Sequence, residues 1–123
     1  KFDDSIISDD IKKLLKGLHD VCVGKIGVEE ALIENLKNAE FTEDDKLKCY
    51  VHCLLIQVGA MDLAGHIDAE AAIELIPEQI RVSVIQEANK CAKDKEKIEN
   101  HCSRAFATIK CLHDVNPDIY YMF

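Results

Sequence analysis

The run Cys49-Tyr50-Val51-His52-Cys53 constrains this chain more than any other feature. Two residues four apart in a helix share a face, with Cβ atoms about 6 Å apart, whereas a disulfide needs roughly 3.5–4.5 Å. The pair therefore does not readily close on itself. If oxidised, each sulfur must reach a different part of the chain, so the helix carrying them is clamped from two directions and becomes the hub of the fold.

Six cysteines, an even number in 123 residues, read as a disulfide framework if the chain is secreted. A metal site competes for the same residues, because His52, His101 and His113 stand near Cys49, Cys53, Cys102 and Cys111 in the sequence. No CxxC or HxxxH pair is present, and structural zinc sites usually show such tight spacing. No metal and no cofactor is expected. The length suits a single domain over residues 1–123, and a 48% hydrophobic share is enough for a core. Lys1 follows neither an initiator Met nor an apolar leader, which reads as a mature end with the signal peptide absent. No run of about 18 apolar residues offers a membrane span. A net charge of −8 repels phosphate backbones and argues against a nucleic-acid partner.

Taken in order, residues 1–7 carry little pattern and read as a loose arm or an extra turn. Ser8 then reads as an N-cap, with apolar positions Ile11, Leu14, Leu15, Leu18 and Cys22 at helical spacing until Gly24 and Gly27 break the pattern. A shorter helix follows over about 28–38. Thr42 with Asp45 resembles a capping box that opens the hub helix, whose stripe is Leu47, Tyr50, Val51, Leu54, Leu55 and Val58. The stretch from Met61 to Glu74 has the glycine of a calcium loop, but alanines stand where ligand oxygens are required, so it reads as a plain loop. Asp68 caps a short helix through Ile76, and Pro77 starts the next. There Ile80, Val82 and Val84 alternate like a strand, but the longer match Ile80, Val84, Ala88, Cys91 is helical. Asp94 is expected to cap a final helix containing Ile98, Cys102, Ala105, Phe106, Ile109 and Leu112, ended by Asn116-Pro117. The tail Asp118 to Phe123 finishes in five apolar or aromatic residues and is expected to fold back onto the body.

Six cysteines allow fifteen pairings. Cys49 with Cys53 is disfavoured as above, and Cys102 and Cys111 lie nine apart on opposite sides of one helix. Ten pairings survive these two exclusions. The gaps between successive cysteines are 26, 3, 37, 10 and 8 residues. These gaps, His19-Asp20-Val21-Cys22 with Gly24-Lys25 and Gly27, Lys46-Leu47-Lys48-Cys49-Tyr50, and Asn116-Pro117-Asp118 through Tyr120 resemble the six-cysteine insect odorant-binding proteins, the pheromone and general odorant carriers.

The resemblance covers nearly the whole chain. It implies an all-α fold, a compact six-helix bundle around an apolar cavity, with interlocked disulfides Cys22–Cys53, Cys49–Cys102 and Cys91–Cys111 and the C-terminal tail as a lid. A cavity of roughly 300 Å³ forgoes on the order of 7 kcal/mol at about 24 cal/mol per Å³. Three disulfides at roughly 2–4 kcal/mol each offset that loss. Within such a fold the inward stripes are the candidate ligand contacts: Leu14, Leu15 and Leu18; Leu54, Leu55 and Val58; Ile76, Ile80, Val84 and Ala88; Phe106 and Ile109. Tyr120 matches a tyrosine that lines or seals the site in relatives, and Met122 and Phe123 would add lid surface. Tyr50 and His19 are implied partners of the carboxylate after Phe123. Imidazoles and carboxylates change charge on the acidic side of neutral, so acidification is expected to weaken this latch and release ligand.

The function implied is a secreted carrier of small hydrophobic semiochemicals through sensillum lymph. Its partners would be hydrophobic volatile ligands, olfactory receptors or a membrane surface on delivery, and a weak homodimer. The aliphatic stripes favour flexible terpenoids or long-chain alcohols, esters and aldehydes over flat aromatic molecules. A non-olfactory extracellular lipid carrier is the nearest alternative, and a secreted helical receptor-binding factor is a more remote one. Enzyme readings fare worse. His19-Asp20 before Val21-Cys22 also resembles secreted phospholipase A2, but the glycine-rich calcium loop and the cysteines that precede its His are missing. No GxSxG, P-loop or HExxH occurs.

Overall fold

The computed structural model describes residues 2–123; Lys1 lies outside them. Five α-helices form there: α1 (Asp9–Ile26), α2 (Glu30–Lys37), α3 (Asp45–Gln57), α4 (Arg81–Lys95) and α5 (His101–Val115). A kinked 3-10 segment, Ala69–Leu75, takes the sixth helical place, and single 3-10 turns occur at Asp4–Ile6, Glu78–Ile80 and Pro117–Ile119. Extended pairing among the described residues is limited to an isolated bridge between Met61 and Ile67. The fold is the all-helical bundle that the stripes and the resemblance implied.

Local chemistry sets the helix ends, and four of them differ from the sequence reading, one being that Pro77 opens only the 3-10 turn Glu78–Ile80 while α4 starts at Arg81. Ser8 does cap α1, its hydroxyl accepting from Ile11 N at 3.2 Å. However, α1 runs through Gly24 and stops only at Gly27, which takes the left-handed conformation (φ 73°) that glycine adopts at no steric cost. The buried face through His19 and Cys22 carries the helix over a single glycine, whose penalty is only about 1 kcal/mol. The cap of α3 is Asp44, two residues after Thr42, with its carboxylate accepting from Leu47 N at 2.8 Å. Asp94 caps nothing: α4 continues through it to Lys95, and Asn100 caps α5 by accepting from Ser103 N at 2.9 Å.

The hub helix is held as its two cysteines required. Cys53 bonds Cys22 of α1, Cys49 bonds Cys102 of α5, and Cys91 of α4 bonds Cys111 of α5. Between α1 and α5, Leu47, Tyr50 and Val51 are completely buried and pack with Ile33, Leu36, Leu54 and Phe106 into a solid core. On the other side of the bundle, around Ala69, Ala88, Leu112 and Ile119, packing is looser. The 69–75 segment is pinned to α4 there by Ala69 N donating to Asn89 Oδ1 at 2.9 Å.

Candidate functional site

The looser side holds a partly open apolar cavity of about 190 Å³. Its walls come from α3 (Leu55 and Val58), from the 69–80 stretch (Ala69, Ala72, Leu75, Ile76, Pro77 and Ile80), and from α4 (Val84 and Ala88). Thr108, Ile109 and Leu112 of α5 continue the wall, and Ile119, Tyr120, Tyr121 and Phe123 of the tail close it together with Phe2, Ile7 and Leu15. The volume falls below the roughly 300 Å³ expected, because aromatic rings from both ends of the chain project into the space.

The tail does fold back, with Tyr120 and Met122 buried. Two phenols hold it. Tyr120 OH donates to Leu36 O at the end of α2 at 2.5 Å. That helix ends in a Schellman arrangement, Ala39 N to Leu36 O and Glu40 N to Asn35 O, with Ala39 left-handed at φ 62°. Phe41, in the loop that follows, stacks edge-on against Tyr120 and Phe106. Burial raises the Tyr120 hydroxyl far above the ordinary phenol range, so it stays a donor.

The second anchor is a chain of polar groups. Tyr50 OH lies 2.5 Å from Phe123 O, His19 Nδ1 lies 2.7 Å from the same hydroxyl, and His19 Nε2 lies 2.9 Å from Glu30 Oε1. His19 is only 6% exposed. The Tyr50 hydroxyl has one proton, and burial, then the charges of Glu30 and Asp20, raise its pKa far above the usual value. That proton goes to Phe123 O, so Nδ1 must donate to the phenol oxygen. An ionised Glu30 can only accept, so Nε2 must donate as well. The three bonds coexist only when the row of groups from the Phe123 carboxylate to Glu30 holds one proton more than a neutral phenol, a neutral imidazole and two carboxylates.

Outside this wall lies an open groove lined by charged residues, Asp3, Asp4, Lys12, Lys16, Glu30 and Lys37 among them. It shares Phe2, Leu15, Tyr120, Tyr121 and Phe123 with the inner cavity. The tail and the N-terminal turn therefore stand between a polar groove and an apolar chamber. Only the chamber can shelter an apolar molecule.

A model of the PBP/GOBP family matches residues 5–115. The chain belongs to that family. Its members are carriers, not enzymes. Among relatives of this PBP/GOBP chain, general odorant-binding protein 69a of Drosophila melanogaster is 28% identical over 111 residues, spanning 89% of this chain and 74% of that protein. Odorant binding protein 5 of Apis mellifera shares the fold with a TM-score of 0.79 at 22% identity, over 94% of this chain and 96% of its own. Odorant binding protein 7 of Anopheles gambiae, a structure with four disulfide bridges in complex with an azo compound, gives a TM-score of 0.74 at 25% identity, covering 90% and 89%.

The structure brings Leu15, Leu55, Val58, Ile76, Ile80, Val84, Ala88, Ile109, Tyr120 and Phe123 to the cavity of this PBP/GOBP chain. It does not bring six others there. Leu14 is 47% exposed, because α1 turns that side of its stripe to solvent. Leu18, Tyr50, Leu54, Phe106 and Met122 pack in the solid core. Sequence reasoning passed over Phe2 and Ile7, which lie in an unpatterned arm, and Thr108, whose hydroxyl removes it from any apolar stripe. Leu112 was legible in principle, as the continuation of the Ile109 stripe at helical spacing, whereas Ile119 lies in the 3-10 turn beyond the end of α5.

Proposed function

We propose that this chain is a secreted carrier that takes small hydrophobic semiochemicals reversibly into the inner cavity and conveys them through sensillum lymph to olfactory receptors. The observation that carries the reading is the apolar chamber itself: a void walled by α3, α4 and α5 and partly covered by the chain's own tail. Three disulfides suit an extracellular compartment. Family membership and a relative solved with an organic guest support the same use. The ligand contacts are the ten cavity positions named above.

Size narrows the guest. A void of about 190 Å³ is somewhat larger than the ~150 Å³ apolar cavity that holds benzene, so a compact aliphatic molecule such as a small terpenoid or a medium-chain alcohol, ester or aldehyde fits without rearrangement. Longer guests require the tail to yield. Saturable, one-site displacement of an apolar fluorescent probe by such molecules is the expected result. Failure of any apolar molecule to bind, together with a stable complex with another protein, would instead favour the receptor-binding factor.

The tail is the gate in this reading, and proton counting reverses the direction expected from the sequence. Closing with all three bonds takes up a proton in the row from the Phe123 carboxylate to Glu30, and a state that binds an extra proton is favoured as pH falls. The latch therefore tightens on acidification and loosens toward alkaline pH. Probe exchange should be slower at pH 5 than at pH 8, with the difference abolished in His19→Gln. Faster exchange at pH 5 would restore the opposite sign.

A further inference from the structure

Apart from the tyrosines, two polar side chains are buried among the described residues, His19 and Thr108. His19 belongs to the tail latch. Thr108, only 2% exposed, sits on α5 beside Ile109 in the cavity wall and has no part in anything described so far. Its Oγ1 donates to Arg104 O, one turn back, at 2.8 Å. The one hydroxyl proton is thereby spent on the helix, while the oxygen keeps lone pairs to offer. Donation to a carbonyl also polarises the hydroxyl and makes it a better acceptor.

Most of the fixed wall offers no proton to a guest. Tyr120 spends its proton on Leu36 O, outside the cavity. Tyr121 lines both the cavity and the outer groove, and it belongs to the tail rather than to the fixed wall. The main-chain N–H groups of Ala60, Ala69, Ile76 and Ile80 go to Leu55 O, Asn89 Oδ1, Ile73 O and Pro77 O. Leu55, Val84, Ala88, Thr108, Ile109 and Leu112 lie inside α-helices, where N–H groups are taken by the preceding turn. Donors left without a hydrogen bond among the described residues are the amide of Ile67 in the 60–69 loop and, in the tail, the amides of Tyr121 and Phe123 and the Tyr121 phenol.

We propose that Thr108 makes the cavity selective for guests that bring their own hydrogen-bond donor, so that a small aliphatic alcohol is held in preference to the aldehyde, ketone or ester of the same skeleton. The proposal rests on the carrier reading above and names its ligand class. An alcohol O–H placed against Thr108 Oγ1 exchanges its water partner for a protein one. A carbonyl in the same place gives up its hydration and finds no proton, and an unpartnered buried polar group is the costly case. One net hydrogen bond corresponds to about a fivefold to tenfold difference in affinity.

The test is competition for N-phenyl-1-naphthylamine bound to the full chain, using 1-nonanol, nonanal and nonane. Nonanol should compete about fivefold to tenfold better than nonanal. Thr108→Val should erase that ratio and leave nonane unchanged, and Thr108→Ser, which keeps the hydroxyl, should restore it. Nonanal matching or beating nonanol in the unaltered chain, or a ratio indifferent to Thr108→Val, would overturn the proposal and assign orientation to the tail amides. The ranking in the unaltered chain decides the matter even if the valine variant folds poorly. Failure of the carrier reading looks different: none of the three molecules would displace the probe, and the selectivity would fall with it.

Discussion

The two halves of this bundle are built from the same kinds of residue and differ in what faces them. On one side of the hub helix, Leu47, Tyr50 and Val51 meet Ile33, Leu36 and Phe106 in one buried cluster. On the other, Ala69, Ala72 and Ala88 stand where larger side chains would meet Ile109 and Leu112, and a void remains. Leu54 and Leu55 are neighbours on one helix; the first is in the solid half and the second lines the chamber. The disulfides follow the same division. Cys22–Cys53 and Cys49–Cys102 bolt α1 and α5 to the hub, while Cys91–Cys111 holds α4 against α5 beside the void. A close-packed side can carry a hollow one when covalent links replace the missing contacts.

Truncation breaks the comparison most strongly. Leu47→Ala, in the fully buried half, should cost about 2–5 kcal/mol in urea unfolding. Val84→Ala, on a wall already facing empty space, should cost about 1 kcal/mol or less and admit a bulkier probe. Equal costs would mean the two halves are packed alike.

Replacing both Cys91 and Cys111 by alanine should lower stability by about 2–4 kcal/mol. It should weaken probe binding as well, because α4 carries Val84 and Ala88 into the wall. Ala39→Gly acts more gently. It relieves a left-handed alanine at the α2 terminus that receives Tyr120, and a gain of up to about 1 kcal/mol in thermal unfolding is expected.

The smallest effect separates the halves by pH. His52, on α3, has a buried Nε2 without a hydrogen-bond partner among the described residues. Burial first, and the neighbouring His101 second, hold its pKa below the ordinary value. A histidine depressed on folding contributes stability that is complete above its unfolded pKa, about 6.5, and is lost as pH falls below it. Acid should therefore weaken the hub while tightening the tail. Between pH 7 and pH 5 the melting temperature should fall more in the unaltered chain than in His52→Gln.

The sequence carried the helices well where an apolar stripe ran for several turns, as in α1, α3 and α5, because burial on one face repeats in the residue order. Cysteine spacing pointed to the framework through resemblance, since geometry alone left ten pairings open. What the stripes could not show is whether the facing surface is filled, and that is why Leu18, Leu54 and Phe106 read as pocket residues and proved to be core. The misplaced caps at Asp94 and Thr42 have a different origin. Asp, Asn and Thr all cap well, and Asn100 and Asp44 stood within a few residues of the ones chosen. The proton count of the latch depends on distances among residues 19, 30, 50 and 123, which sequence separation conceals.

The most direct measurement is a probe titration of Ala88→Leu alongside its melting curve. Ala88 faces the void from α4, so the added branched chain should occupy the guest's place. The expected result is probe affinity reduced at least tenfold with a melting temperature unchanged or raised. Undiminished binding, or a collapse of several degrees from overpacking, would show that no such chamber serves the ligand.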